Sequence, residues 1–468
     1  MQRPKFYKSR REFIKQFGLG ALGVTTASSI MQLKAINAAF LNNSAGPDEG
    51  YKAIVCFFLN GGNDSFNMVV PRGNPEYDEY AVTRSDLAIS QNELLPITPV
   101  TSDGRQYGLN PAMNGIHQLF NNGKLSFINN VGPLIVPTTR TTFNNHTAPL
   151  PLGLFSHADQ LKNCQTGLPH FRTHIGWGGR MADLLKSMNT NQNLSMNISL
   201  AGTNIFQYGE TVVEFAIDPI QGSPAISGYA GSSDFNVQRT QAINALLGID
   251  YPDIYKKTYT DILRKSRDGG IEFRAAMAQS GSVNTFFSEN RISQSFKRIT
   301  EVIKARDILG FQRQIFFVQM GGWDMHGELI DAHQRNLTIV DNALSEFANG
   351  LNEIGMFDSV TTFTISDFGR TLTSNGNGSD HAWGGNALVM GGGVNGGDMF
   401  GTFPSLSLGH EYEVGGGVLI PTTSNDEYFA DLALWFGVSP SDLTTLFPNI
   451  GNFYDVNSGV SPTGLMQI

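Results

Sequence analysis

The feature that most constrains the fold is a series of short, wholly apolar runs, each followed by glycine-rich sequence and a helical pattern. Ala53–Leu59 is the clearest of these runs, and it ends at Asn60-Gly61-Gly62. A run without polar alternation indicates a strand buried on both faces, as in parallel sheets whose connecting helices cover both sides. We therefore predict an α/β fold with a mostly parallel sheet and helices on both faces.

Further elements follow the same alternation. The later predicted strands are Leu125–Val131, Gln314–Met320, Ser359–Ile365 and Ala387–Met390. The predicted helices are Pro111–Asn122, with Asn110 as its N-cap, Arg180–Met188, Leu329–Ile354 and Glu427–Phe436. Residues 205–310 interrupt the pattern with a Gly/Ser-rich loop, Gln221–Asp234, and polar helical stretches, Ala242–Lys265 and Phe273–Arg306. We expect an insertion or cap there, between two parts of one sheet.

The first 39 residues have the composition of an export signal. Arg10 and Arg11 precede Phe17–Met31, a weakly apolar run, and small residues follow at Ala38 and Ala39. A basic segment, a short apolar run and small residues indicate a signal peptide, and the paired arginines indicate the twin-arginine route. The run is too short for a good membrane anchor, which needs roughly 20 apolar residues. We expect export by the twin-arginine machinery to the periplasm or beyond, with residues 40–468 forming the α/β domain.

Charge and cysteine content exclude some classes of function. The net charge is −9, and basic residues concentrate in the signal, so nucleic acid is not an expected partner. Of the two cysteines, Cys56 lies in an apolar run and is predicted to be a buried free thiol. A disulfide with Cys164 is chemically allowed outside the cytoplasm, but nothing in the sequence supports it. A zinc site with four cysteine ligands is excluded.

Metal-binding side chains follow the ends of several predicted strands. Ligands of open α/β sheets gather at the carboxyl ends of the strands, where this chain has aspartates, histidines and flanking glycines. Asp324 and His326 have the Asp-x-His spacing that places two ligands on one side of an extended segment. Asp380 and His381 point in different directions, and we favour His381 as the one facing an ion. The predicted metal-binding residues are Asp64, Asp324, His326, Asp367 and His381.

These motifs resemble a known family. The Asn-Asp loop after the first strand, Gly-Gly-Trp-Asp-x-His, Ser-Asp-Phe-Gly-Arg-Thr and Gly-Ser-Asp-His-x-x-Gly-Gly occur in the same order in the exported bacterial proteins called domain of unknown function 1501. That family is similar to the alkaline phosphatase and sulfatase superfamily. The resemblance implies an alkaline-phosphatase-like fold, two metals at the sheet edge, and a nucleophile that attacks a phosphate or sulfate ester.

One departure from the superfamily limits the expected metal content. Phe368 stands where the superfamily has a histidine after the aspartate, here Asp367. We therefore expect one strong site with Asp324, His326 and His381 and, at most, a weak second one with Asp64 and Asp367. The ion is open between zinc, manganese, calcium and magnesium.

The nucleophile and the anion clamp are assigned on weaker patterns. Ser156 opens a predicted helix in a segment, Phe155–Gln160, that resembles the family's Ser-His-x-x-Gln motif; ordinary N-capping is the alternative. Ser65 or a water is the alternative nucleophile. Arg370 is a plausible clamp for phosphate or sulfate oxygens, or else an arginine on a helix surface.

Two functions from different classes fit this sequence. The first is an exported, metal-dependent hydrolase acting on a small or polymeric phosphate or sulfate ester. The second is a catalytically degenerate periplasmic binding or assembly protein that retains one metal site, which Phe368 favours. The substrate and the oligomeric state are left open by the sequence.

Overall fold

The apolar run after residue 50 forms the central strand of the main sheet. The computed structural model describes residues 50–223 and 226–468, and Tyr51–Ile468 form one compact unit. The predicted signal, residues 1–39, lies outside the described residues.

The described residues form strands and helices that alternate along much of the chain. The strands are β1 (Lys52–Leu59), β2 (Val69–Pro71), β3 (Leu95–Ile97), β4 (Tyr107–Leu109), β5 (Leu125–Gly132), β6 (Asn197–Ser199), β7 (Phe215–Ala216), β8 (Arg313–Met320), β9 (Val360–Ser366), β10 (Gly385–Gly391), β11 (Met399–Phe400) and β12 (Thr423–Ser424). The helices are α1 (Glu76–Arg84), α2 (Asn114–Asn121), α3 (Arg140–Asn144), α4 (His157–Thr166), α5 (Trp177–Leu185), α6 (Asp234–Gly248), α7 (Ile254–Ser280), α8 (Arg291–Lys304), α9 (Arg306–Leu309), α10 (Leu329–Glu353), α11 (Asn425–Phe436) and α12 (Leu443–Leu446).

The main sheet has nine strands and is mixed but mostly parallel. Its order is β11-β5-β10-β9-β1-β8-β6-β7, with β12 pairing beside β5. β1 pairs in parallel with β8 and β9, whereas β10 runs antiparallel to both of its neighbours. A separate sheet contains β2, β4 and β3. The predicted α/β fold with a mostly parallel sheet is confirmed.

Helices cover both faces of the sheet, which explains why its central strands show no alternation of polar residues. On one face, Phe363 of β9 lies 5.6 Å, ring centre to ring centre, from Trp177 of α5. On the other face, the Phe57 ring of β1 lies 5.3 Å from Phe296 of α8, which in turn packs on Phe347 of α10. Both faces of β1 are therefore apolar because both meet helices.

Several predicted helix boundaries are corrected. The helix predicted from Pro111 begins at Asn114, because the Asn110 side chain accepts the Ala112 N–H in a turn instead of capping the helix. The helix predicted from Arg180 begins three residues earlier, at Trp177, and ends in a 3₁₀ turn, Lys186–Met188. The strands β1, β8 and β9 each agree with their predicted runs to within one residue at either end.

In the region predicted as an insertion or cap, both predicted helical stretches are interrupted. The predicted stretch Ala242–Lys265 is interrupted between α6 and α7, where Pro252 lacks the N–H that a helix interior needs. The predicted stretch Phe273–Arg306 is interrupted at Gly281, which has φ +69° and ends α7. The role of residues 205–310 as a cap stays a prediction.

The cysteines and the helix lengths also compare with the expectations from the sequence. Cys56 and Cys164 are both buried free thiols. Burial raises the pKa of each thiol, so neither is set up as a reactive thiolate. Among the helices of the described residues, none has both the length and the apolar character that a membrane crossing requires.

Candidate metal centre

The site lies where β1, β8 and β9 end together. Leu59 pairs with Met320 on one side and with Ser366 on the other, so the three following loops begin at the same edge. Gly61 joins two of these loops, because its N–H donates to Asp367 Oδ1 at 3.0 Å. Gly61 has φ +126°, and a Cβ atom there would lie 2.5 Å from the Asp324 backbone nitrogen. Only glycine allows the loops to approach this closely.

Asp324 is the centre of the site, and three imidazoles face it. Its Oδ1 lies 3.0 Å from His326 Nε2 and 3.3 Å from His381 Nε2. Its Oδ2 lies 3.4 Å from His157 Nε2. The structure therefore brings together Asp324, His326 and His381 of the predicted ligands, and adds His157.

Each imidazole has an acceptor at its other ring nitrogen. His157 Nδ1 lies 2.8 Å from Asp367 Oδ2, and His326 Nδ1 lies 3.0 Å from Asp380 Oδ1. His381 Nδ1 lies 2.7 Å from the carbonyl oxygen of Phe155. An acceptor at Nδ1 assigns the proton to that nitrogen and leaves the Nε2 lone pair directed at Asp324. Histidines that ligate metals in proteins are oriented by acceptors of this kind.

The residues fit a divalent cation. His157 Nε2 is buried and has no hydrogen-bond partner within the described residues. His326 Nε2 and His381 Nε2 lie 3.0 Å apart, although both nitrogens are assigned as acceptors. Ligand atoms of His157, Asp324 and His381 all lie within 4.8 Å of one another. Three imidazole nitrogens and one carboxylate form a donor set that suits zinc particularly well.

Arg370 lies beneath the site and contacts Asp324 directly. Its Nη1 donates to Asp324 Oδ1 at 2.7 Å and its side chain is fully buried. Other guanidinium N–H groups contact Gly61 and Ser379. Partial burial raises the pKa of Asp324, whereas the hydrogen bond and positive charge of Arg370 lower it, and on balance the pKa lies below its usual range. Arg370 keeps the carboxylate ionised and oriented; its role as a clamp on substrate oxygens stays a prediction.

Asp367 and Ser156 occupy supporting positions beside the ligands. Both carboxylate oxygens of buried Asp367 accept hydrogen bonds, one from Gly61 and one from His157, so Asp367 orients an imidazole. Ser156 immediately precedes α4, yet its side chain makes no capping hydrogen bond to the helix. Ser156 is half-buried and directly precedes His157 in the chain. Ser156 as the nucleophile stays a prediction.

Asp64 lies in a different environment from the other predicted ligands. It is buried and forms an ion pair with Arg84, which is buried as well and also donates to the Thr371 and Leu372 carbonyls. The neighbouring Ser65 is also buried, and its Oγ accepts the Asn386 N–H at 2.6 Å. The predicted part of Asp64 in a second metal site stays a prediction.

Phe368 occupies the space beside the ligating imidazoles. Its ring centre lies 4.7 Å from that of His157 and 4.6 Å from that of His381. A Cβ atom on Gly62 would lie 2.5 Å from this ring, so the loop after β1 packs closely on the other side. The residue that departs from the superfamily pattern thus forms the apolar wall of the site.

The sequence predicts for His157 only that it orients a substrate or completes the start of a helix. Sequence reasoning misses His157 as a residue of the metal site and Phe155 as a functional residue, because the motif that contains both indicates only Ser156. His157 is the first residue of α4, and only the tertiary fold brings it to the ends of β8 and β9. The signal that could have found it was a third histidine adjoining a family motif. Phe155 has φ +69°, a strained value for a non-glycine residue, and this conformation accompanies the carbonyl contact with His381.

These features define an α/β protein with a candidate mononuclear metal centre at the carboxyl edge of its sheet. The profile of a family described as "Protein of unknown function (DUF1501)" matches residues 270–443. This segment contains three of the four motifs from which the resemblance was predicted, and the predicted resemblance is confirmed there. No curated protein sequence is a significant match to the chain.

Solved structures with some similarity include three enzymes. An alkaline phosphatase PafA variant is 11% identical, with 70% of this chain and 64% of that chain covered and a TM-score of 0.31. The PsFucS1 sulfatase from Pseudoalteromonas sp. is 9% identical, with 87% and 71% covered and a TM-score of 0.32. The lipooligosaccharide phosphoethanolamine transferase EptA from Neisseria meningitidis is 10% identical, with 92% and 71% covered and a TM-score of 0.32. The chain thus spans less than two thirds of the length of the first of these proteins.

Proposed function

We propose that the protein is a metal-dependent hydrolase of phosphate or sulfate esters, exported by the twin-arginine route. The observation that carries the proposal is the convergence of three Nε2 atoms on Asp324, each imidazole oriented through its Nδ1. His157, Asp324, His326 and His381 would hold the ion. A divalent cation bound there would polarise an ester oxygen and lower the pKa of a hydroxyl or water nearby.

The centre is open on one side, where an ester group would reach it. The side chains of Asp324 and His326 are 45% and 46% exposed, so the centre opens to solvent on one side. Buried Phe368 closes the other side and excludes water from the backs of two imidazoles. Ser156 lies at the start of α4, where unpaired backbone N–H groups favour an anionic group. It is our candidate for the attacking hydroxyl.

A direct test combines metal content with turnover of model substrates. We expect the purified full chain to contain about one equivalent of metal, measured by plasma mass spectrometry. We expect it to hydrolyse at least one of p-nitrophenyl phosphate, bis(p-nitrophenyl) phosphate and p-nitrophenyl sulfate. Asp324→Ala should lose metal and turnover together, whereas the exposed control Asp331→Ala on α10 should retain both. Ser156→Ala should retain metal and lose turnover if its hydroxyl is the nucleophile.

A binding or assembly protein with one metal is the second candidate. The buried pair of Asp64 with Arg84, and Phe368 against the histidines, favour it, because both occupy positions where a second metal site was expected. In that case the chain would hold metal without hydrolysing any of the three esters. Absence of bound metal after supplementation with zinc and manganese would contradict both candidates.

A further inference from the structure

One helical hairpin of the described residues has mostly exposed side chains. It consists of α6 and the first half of α7, residues 234–266, and we call it the hairpin. On α6 only Leu247 is buried. On α7 the buried residues other than Thr260 all lie at or beyond Gly269. The second half of α7 therefore anchors the element, while the hairpin has few contacts with the body.

The hairpin and its flanks carry a dense set of exposed apolar side chains. Of the 25 large hydrophobic residues that are exposed in the described part of the chain, eleven lie between residues 226 and 271. They are Ile226, Phe235, Val237, Leu246, Ile249, Ile254, Tyr255, Tyr259, Ile262, Leu263 and Ile271. Exposed apolar residues concentrated in this way mark an interaction surface.

These side chains point in more than one direction. Ile254 and Tyr255 are consecutive and both exposed, as are Ile262 and Leu263. Consecutive helical residues point about 100° apart, so the exposed apolar surface wraps around the hairpin. On α7 the exposed Tyr255, Tyr259 and Ile262 share one face, because about one or two helical turns separate them. A helix that lies in a lipid interface buries one such apolar face.

An apolar groove between the two helices has a cationic rim. Its volume is about 550 Å³, and Leu246 and Leu247 of α6 and Tyr259 and Leu263 of α7 contribute to its walls. Among the described residues, Lys256 is the one charged residue that lines it. A groove of this kind accepts an acyl chain while the lysine reaches an anionic headgroup.

The charge of the hairpin contrasts with that of the whole chain. Residues 234–266 contain five Lys and Arg residues against four Asp and Glu residues, a small positive excess in a chain with a net charge of −9. Lys256 and Lys265 are exposed on α7. Cationic side chains beside exposed tyrosines and aliphatic residues are typical of elements that lie in a lipid interface.

We propose that the hairpin docks on a membrane surface that contains anionic phospholipids. Tyr255, Tyr259 and Ile262 enter the acyl boundary, while Lys256 and Lys265 contact the lipid phosphates. Docking through the hairpin holds the rest of the protein at the lipid surface. This proposal does not depend on the metal centre or on hydrolysis.

The test uses vesicles of phosphatidylglycerol and phosphatidylethanolamine, mixed 1:3, and vesicles of pure phosphatidylcholine. We expect the full chain to sediment with the first and not with the second. Amide hydrogen exchange should slow in residues 234–266 when the anionic vesicles are added. This local readout separates docking by the hairpin from any contribution of residues 1–49.

Matched variants locate the contact. Tyr255→Ser with Ile262→Ser should weaken sedimentation with anionic vesicles at least tenfold, because two apolar side chains lose their burial. Lys256→Gln with Lys265→Gln should weaken it as well. The control Val82→Ser removes an equally exposed side chain on α1 and should change nothing.

Two results of the vesicle experiments would overturn the proposal. One is an unchanged exchange rate of residues 234–266 with anionic vesicles. The other is equal binding to both vesicle types, since the lysine contacts require anionic headgroups. If Tyr255→Ser with Ile262→Ser instead abolished a dimer seen by light scattering, without vesicle protection, the hairpin would be an interface between copies and the proposal would be wrong.

Discussion

Each imidazole of the metal centre is oriented by a different kind of acceptor. His157 uses the buried carboxylate of Asp367, His326 uses the exposed carboxylate of Asp380, and His381 uses the carbonyl of Phe155. Carboxylate acceptors also increase the basicity of the ligating nitrogen. At the scale of residues, the centre therefore depends as much on these acceptors as on the ligands themselves.

Asp380→Asn tests the acceptor that is most accessible to mutation. The Asp380 carboxylate holds His326 at 3.0 Å and is itself held by Asn375 at 3.1 Å. We expect zinc affinity, measured by competition with a chromophoric chelator, to fall about 10- to 100-fold because His326 loses a charged acceptor. The melting temperature of the metal-free protein should not change. Equal affinities of the variant and the control Asp331→Asn would contradict the role of Asp380.

At the level of single residues, the sequence predicts some ligands of the centre but not all of their partners. Asp324, His326 and His381 could be predicted because each follows a recognisable strand or motif near the same sheet edge. His157 was missed because its position next to Asp324 depends on how α4 packs, and no spacing in the sequence encodes that contact. Asp64 was selected by the same strand-end rule as Asp324, but the structure pairs it with Arg84, 20 residues further along the chain. Local patterns identified ligand types, whereas long-range packing determined their partners.

At the scale of elements, the strands were more predictable than the helices. β1, β8 and β9 are buried on both faces, so their composition alone marks them. Helix ends depend on local hydrogen bonds such as the turn at Asn110, which composition does not distinguish from a cap. The loops that carry the site depend on close contacts between backbone segments. In the sequence, only the glycines at these contacts indicate them.

Gly378→Ala tests one of these close approaches. A Cβ atom at Gly378 would lie 2.4 Å from the His326 carbonyl carbon and 2.6 Å from the Gly327 nitrogen. The loop that carries Asp380 and His381 would have to move away from His326, so we expect weaker zinc binding in a chelator competition. The control Gly321→Ala adds a Cβ that meets nothing within 4 Å and should bind zinc normally. An equal loss of zinc affinity in both variants would contradict a role for the close contact between Gly378 and the His326 backbone.

The first turn of α11 carries a buried acid with a predictable pH effect. Burial raises the pKa of Asp426 to about 8, and the Glu427 carboxylate adds to the rise while Arg180 opposes it. Between about pH 4 and pH 8 the folded protein keeps this proton and the unfolded chain loses it. The free energy of unfolding therefore falls as pH rises through this window.

Asp426→Asn should remove this part of the pH dependence. Urea denaturation at pH 5, 6, 7 and 8 should show a shallower decline in the free energy of unfolding for the variant, by up to about 1.4 kcal/mol per pH unit. The exposed control Asp358→Asn should follow the wild type. Parallel curves for the wild type and Asp426→Asn would contradict the raised pKa.

At the scale of the whole molecule, the metal centre joins parts of the chain that are far apart in sequence. His157 precedes β6 to β8, Asp324 and His326 follow β8, and His381 precedes β10. The four side chains meet only when the main sheet and α4 are in place. A cation that binds them therefore binds the folded protein and not the unfolded chain.

Metal removal should consequently lower the stability of the whole fold. A ligand at 100 times its Kd stabilises the folded state by about 2.7 kcal/mol, so calorimetry should show a lower melting temperature after chelation and recovery with added zinc. Asp324→Ala should melt at the same temperature with and without zinc, because the central ligand is gone. Asp331→Asn should respond to zinc as the wild type does. If zinc raised the melting temperature of Asp324→Ala as much as that of the wild type, the stabilising ion would bind elsewhere and the centre described here would not be the metal site.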